Sequence, residues 1–469
     1  MRILISLFPI LMALPAFAET VFITNATIID GTGAPPHGPL DVTITDGRIE
    51  RIGTGIRPRG ATVVEARGKF VLPGLIDAHV HLPSVTGAIA RNDTPEQAEE
   101  LRRAEYKALI AAGVTTVLDA AAPASLLKSP PALAPRIVGL APFLTPVEGY
   151  FADDHARGFL LADLWPPVAT PEDVRARIAE AAPLKPLGVK VTIETGFGPF
   201  PSWPTFDEDM RRAIKEEAEK AGLPVFVHSM SKAEHRLALS MKPYALVHSG
   251  FYDEEADDEI LSEIKASGAY VISTLAAWRL AHLMWERELL EDPWVQRLVP
   301  KRMLDTALDE EIRAETLKDV VVQSKPKWIP APIARFLAPL FFSEKIVRSS
   351  LDHGMAAIRK MHQAGIPLVM GSDSGNWAVW TSYFQGVGSI LEVEMLIESG
   401  LTPMEAIRAS TAMPAKMLKI EGENGTVSVG KRADLLILDA DPLTDPKAFR
   451  KAAWVVKGGV MRTPDEWMK

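Results

Sequence analysis

Four histidines and one aspartate in this chain each end a short apolar run. His79 and His81 close Leu72-Pro-Gly-Leu-Ile-Asp-Ala-His-Val-His81, His228 closes Val225-Phe-Val-His228, and His248 closes Ala245-Leu-Val-His248. Asp373 closes Leu368-Val-Met-Gly-Ser-Asp373. On an extended strand, residues two apart point to the same side, so His79 and His81 can reach one cation together. A single buried histidine is more often a hydrogen-bonded core residue than a ligand. That bland reading would have to hold separately for five residues in matching positions, and it fails. Imidazole nitrogen with carboxylate suits zinc first, and also manganese, iron or nickel.

Lys190 has a different setting. It lies inside Leu187-Gly-Val-Lys190-Val-Thr-Ile, where an ordinary ammonium is expensive to bury. A snorkelling or ion-paired lysine is the plain reading, and a chemical role is the other.

Such residues need a repeated frame to bring them together. Apolar strand candidates occur at 71–78, 114–119, 136–141, 187–193, 224–229, 245–249, 269–275 and 367–372. Helical patterns such as 95–112, 171–182 and 207–221 separate most of them. Continuous apolar runs mark parallel strands buried on both faces. Eight strand–helix units over 71–419 predict a TIM-type (β/α)8 barrel, whose active site sits at the C-terminal strand ends. All five candidate ligands end such runs.

The two ends of the chain read differently. Residues 19–70 alternate apolar and polar positions between Asp30-Gly31, Asp46-Gly47 and Arg67-Gly68 turns, and 420–469 does the same around Gly430 and Gly458-Gly459. The expectation is a small β-sandwich assembled from both termini. Residues 276–350 interrupt the barrel rhythm with helix-like runs holding four of the ten tryptophans. This helical insertion either covers a flank of the barrel or forms a lid over its mouth.

Composition narrows the function classes. The 469 residues are 47% hydrophobic and 24% charged, with a net charge of −9 and no basic tract, which argues against nucleic acid and against a polybasic membrane anchor. With no cysteine, thiolate metal sites, a cysteine nucleophile, disulfides and a lipid-bearing cysteine all drop out. Arg2, the apolar run 3–17 and Ala16-Phe17-Ala18 read as a signal peptide over 1–18, cleaved after Ala18. The run is shorter than the roughly 20 residues of a membrane span. A secreted or periplasmic protein follows, with no stable membrane insertion after cleavage.

With these residues in view, the chain resembles the amidohydrolase superfamily, in its prolidase-like and imidazolonepropionase-like binuclear branch. Leu401-Thr-Pro-Met-Glu-Ala-Ile-Arg-Ala-Ser-Thr-Ala-Met-Pro-Ala415 and Gly425-Thr-Val-Ser-Val-Gly-Lys-Arg-Ala-Asp434 are similar to that family's last barrel helix and closing sandwich strands. The resemblance implies two divalent metal ions, zinc first. His79, His81 and Asp373 would hold one, His228 and His248 the other, and a carbamate on Lys190 would bridge them. It also implies a metal-activated hydroxide attacking an amide carbonyl, with Asp373 moving the proton to the leaving nitrogen.

The implied substrate is a small molecule with a C–N amide bond: a dipeptide, an N-acyl amino acid or a cyclic amide. A deaminase is the alternative, but Lys190 has no task at a one-metal site, and no glutamate follows His228 closely. Lactone, carbamate or phosphotriester hydrolysis suits the same barrel. A non-catalytic binding protein would be expected to lack ligands, and none is missing. Tyr150 and His155, in the long loop after the third strand, are candidate substrate contacts, and Trp377 and Trp380 candidate pocket walls. His37, His235, His282, His353 and His362 read as ordinary structural residues. Nothing in the sequence fixes the oligomeric state, and a homo-oligomer is compatible with it.

Overall fold

The computed structural model describes residues 20–469 except 56, 83–93, 133, 151, 153–164, 197–202, 252–253, 284, 326–327, 342 and 376–380. The expected signal peptide, His155, Trp377 and Trp380 therefore lie outside the described residues.

The first five strands are β1 (Val21–Ile28), β2 (His37–Thr45), β3 (Arg48–Gly53), β4 (Thr62–Glu65) and β5 (Phe70–Pro73). Eight more follow through the middle: β6 (Leu75–Val80), β7 (Val114–Asp119), β8 (Arg136–Leu144), β9 (Gly188–Thr192), β10 (Val225–His228), β11 (Ala245–Val247), β12 (Tyr270–Ile272) and β13 (Leu368–Val369). The last three are β14 (Leu435–Leu438), β15 (Ala452–Lys457) and β16 (Val460–Arg462).

The middle strands pair in chain order, all parallel. The ring closes where the Ala78 amide donates to the Met370 carbonyl at 3.0 Å and the His81 amide to the Ser374 carbonyl at 2.9 Å. Helices separate the strands, so this is the TIM-type barrel that the alternation predicts. Ile76, Leu118, Leu140, Phe226, Val247 and Ile272 fill its interior, and Ala415, Met417 and Leu418 plug the end where the strands begin. The opposite end is left for chemistry.

The helices start where their sequences say they must. Thr94 and Thr170 cap Pro95–Ala111 and Pro171–Ala181 with reciprocal capping boxes and a proline in the first turn, and Asp207 caps Glu208–Ala221.

The terminal strands form one sheet in the order β16-β15-β14-β5-β1-β2-β3, with β4 beside β1. Asp46 and Gly47 both take positive φ (50° and 70°), the type I′ geometry that an Asp-Gly hairpin favours. Beyond β3 the Ile49 amide donates to the Lys431 carbonyl at 2.9 Å, and Ala433 donates to Gly47 at 2.8 Å. The sheet thus curls back on itself around a core that includes Ile23, Ile44, Ile49, Val71, Leu435 and Ile437. Both termini build it, as expected.

One expected strand is two. Residues 71–78 read as a single apolar run, but Phe70–Pro73 pairs with β14 and β1 in the terminal sheet, while Leu75–Val80 opens the barrel. Pro73 lacks an amide, and Gly74 breaks the run. A Cβ on Gly74 would lie 2.3 Å from Thr115 Oγ1, so glycine is required where the chain passes between sheets.

Residues 275–363 are helical in most of their length. Leu280, Val295, Leu298 and Met303 join the main core, and Asp292–Arg450 and Arg297–Asp465 ion pairs tie this part to the C-terminal segment. Farther out, Glu310–Ser324 and Ala331–Phe341 form a helical hairpin.

Candidate metal centre and active site

His79 is on β6 and His81 just past it. Both Nε2 atoms reach the same oxygen, Asp373 Oδ1, at 3.2 and 3.0 Å. Asp373 follows β13 in the left-handed region (φ 56°), which aspartate tolerates better than most residues, and its amide donates to the His79 carbonyl at 2.8 Å. Gly371 permits this approach, because a Cβ there would sit 2.8 Å from His79 Cβ. One ligand atom from each of His79, His81 and Asp373 lies within 4.8 Å of the others, a spacing that suits one metal ion.

His228 ends β10, and His248 follows β11 with φ at 80°. Their rings meet edge to face, with His228 Nδ1 2.8 Å from His248 Nε2. The outer nitrogens are engaged: His228 Nε2 lies 3.1 Å from Glu194 Oε2, and His248 Nδ1 2.7 Å from Thr274 Oγ1. With the ring protons assigned to those outer contacts, the inner nitrogens present lone pairs to each other. A cation between them satisfies both, and oriented imidazoles of this kind are how proteins prepare metal ligands. His79 stands 5.3 Å from His248, ring centre to ring centre, so the two histidine pairs share one cavity.

Lys190 is on β9 and buried at 2% exposure, and among the described residues its Nζ has no hydrogen-bond partner. Burial pushes its pKa down to about 7, and the Asp373 charge only partly opposes this. An amine of that kind exists substantially uncharged near neutrality, the state needed to add carbon dioxide. Burial, helped by the Lys190 charge, lowers His79 and His228 to about 3, so both imidazoles are neutral and able to coordinate. Burial works to raise Asp373, but hydrogen bonds from His79 and His81 hold it well below the usual carboxylate range. Four imidazoles, a carboxylate and a buried amine fit transition-metal ions better than calcium or magnesium.

Tyr150 is also here. Its ring is buried, 4.9 Å from the His228 ring and 5.1 Å from Trp203. The remaining expected substrate contact, His155, is not described.

Several residues escaped the sequence reading. Glu194 continues the period-two face of Lys190 and Thr192, and that alternation was the available signal. Burial raises its carboxyl to about 7. Asp77, on β6, faces the helix Val387–Glu398. Its Oδ1 accepts from the His79 and Ser372 amides at 3.1 and 3.0 Å, and its Oδ2 from Ser389 at 2.7 Å, pinning β6 to the Asp373 segment. Glu392 is buried in the helix Val387–Glu398 and accepts from Ser273 Oγ and, at 2.5 Å, from the Ala276 amide, fixing the turn that carries Thr274. Glu234 accepts from Thr195, Met230 and Ser231, so its carboxylate is spent on the turn after β10 rather than offered to a substrate.

The profile of the amidohydrolase family matches residues 70–461. The chain belongs to this family. It is similar to an allantoinase from Solibacter usitatus, 25% identical over 415 residues that cover 86% of this chain and 81% of that protein. A dihydroorotase from Syntrophotalea carbinolica is 45% identical over 65 residues, so the chain spans 14% of that relative's length and the match covers 13% of this chain. Among solved structures, a Xaa-Pro dipeptidase with bound methionine superposes with a TM-score of 0.69 at 20% identity, covering 95% of this chain and all of the other. The ochratoxinase of A. niger gives 0.66 at 19% identity, covering 95% and 96%. Both share the fold.

Proposed function

We propose that this chain hydrolyses a C–N amide bond in a small molecule, using two divalent metal ions, zinc first. The observation that carries the reading is the pairing of His228 Nδ1 with His248 Nε2 beside the His79–His81–Asp373 cluster, with buried Lys190 in the same cavity. Bound there, the metals would supply an acidified water and a Lewis acid for the carbonyl. His79, His81 and Asp373 would hold one ion, His228 and His248 the other, and Lys190, as its carbamate, both. Asp373 is the group that accepts a proton and returns it to the leaving nitrogen. Tyr150 forms a wall where substrate would lie against His228.

The relatives, an allantoinase, a dihydroorotase and a Xaa-Pro dipeptidase, favour cyclic amides and dipeptides, with N-acyl amino acids next. The engagement of Glu234 weighs against deamination. The test is a substrate panel on zinc-loaded enzyme, with dipeptide, N-acyl amino acid and cyclic-amide arms beside lactone, carbamate, phosphotriester and adenosine arms. Turnover confined to the non-amide arms would overturn the reading.

Residues 1–18 support export. N-terminal sequencing of the exported protein is expected to start at Glu19, and an intact Met1 would overturn cleavage after Ala18.

A further inference from the structure

The helix Ala331–Phe341 is packed the wrong way round for a water-soluble surface. Its small residues Ala334 and Ala338 face inward at 3% and 0% exposure, while Ile333, Phe336 and Leu340 stand 50%, 83% and 72% exposed. Those three positions, spaced i, i+3 and i+7, fall on one side of the helix. Trp328, 76% exposed, precedes the helix, and Ile346, 39% exposed, follows it. Large exposed aromatic and aliphatic side chains along this helix and the segments on either side of it are uncommon on a soluble monomer and mark a contact surface.

Charge says what the contact is. The chain carries −9 overall, yet residues 325–348 hold five cations and one anion. Arg335 turns inward to Glu315 and Asp319. Lys325 precedes the helix in the chain, and Lys345 and Arg348 follow it. Lys345 and Arg348 are exposed, and neither is in an ion pair among the described residues. These cations are spread over 24 positions, so they do not read as a basic tract. A second copy on the same patch would set basic rim against basic rim. An acyl-chain surface bearing phosphate headgroups answers both the apolar face and the rim. With 11 residues the helix extends about 16 Å, half of what a bilayer crossing needs, so it would lie in the interface plane with Trp328 at headgroup level.

We propose that this hairpin docks the enzyme peripherally on an anionic lipid bilayer. The test is co-sedimentation of the full chain with vesicles of phosphatidylglycerol and phosphatidylcholine, and with phosphatidylcholine alone. Every protein keeps the same N-terminus, so residues 3–17 contribute equally throughout. Wild type is expected to bind the mixed vesicles more tightly, and added salt to weaken it. The double variant Phe336→Asp, Leu340→Asp should lose at least tenfold in partition, with an unchanged melting temperature because both side chains are exposed. Lys345→Glu and Arg348→Glu should each lose about fivefold on mixed vesicles and little on neutral ones. Equal binding by wild type and the Asp variant would overturn the proposal. So would a drop in the solution mass of Phe336→Asp without vesicle binding by wild type, which would make the patch a self-interface.

Discussion

His228 Nδ1 and His248 Nε2 face each other at 2.8 Å, and each ring is held from behind, His228 by Glu194 and His248 by Thr274. The histidines are set before any ion arrives, so the outer contacts should matter to affinity. Glu194→Gln is expected to weaken zinc binding about 10–100-fold in a chelator competition while leaving the melting temperature of the apoprotein nearly unchanged. Wild-type affinity in that variant would mean His228 needs no support.

Lys190 tests the bridging role. Lys190→Ala should lose metal and activity together, and added acetate should restore part of both by supplying a carboxylate. Lys190→Arg should restore neither, because a guanidinium stays protonated beside the cations. Elemental analysis is the readout, with close to two ions per wild-type chain. A metal-replete, active Lys190→Arg enzyme would remove the carbamate from the mechanism.

Asp373→Asn keeps the side-chain volume but cannot take a proton. Its kcat should fall about 10²–10⁴-fold, while circular dichroism stays that of the wild type. A near-normal kcat would place the base elsewhere.

Glu392 gives a stability prediction. Burial raises its carboxyl to about 8, whereas an unfolded chain releases that proton near the ordinary glutamate value of about 4.3. Its contribution is therefore fully present below about pH 4.3 and is lost as pH rises through about 8. Urea midpoints of wild type should decline across that window more than those of Glu392→Gln, a difference on the order of 1–3 kcal/mol. Parallel profiles would show that Glu392 is ionised in the folded protein.

The barrel was legible because its strands are continuous apolar runs, and the cluster of His79, His81 and Asp373 because barrel chemistry gathers at strand ends. The error at 71–78 arose where hydrophobicity does not change but the sheet does. Only Pro73-Gly74 marks the crossing, and its meaning depends on Thr115, far away in sequence. Glu194 was missed because it lies beyond the last hydrogen-bonded residue of β9, where strand alternation is no longer expected to persist. The facing of His228 and His248 depends on ring rotation, which no spacing encodes. The outward face of Ala331–Phe341 has the period of an ordinary amphipathic helix, and the sequence does not say which side meets water.

The closed sheet at the chain ends has a consequence for synthesis. β5 lies between β1, made at the outset, and β14, made near the end. A nascent chain ending anywhere before Leu435 therefore carries an apolar strand with one bare edge, beside the first barrel strand that holds His79. Such edges recruit other strands. Stalled or prematurely terminated products of this protein should be sticky throughout translation, and release from that state waits for the final thirty or so residues to emerge.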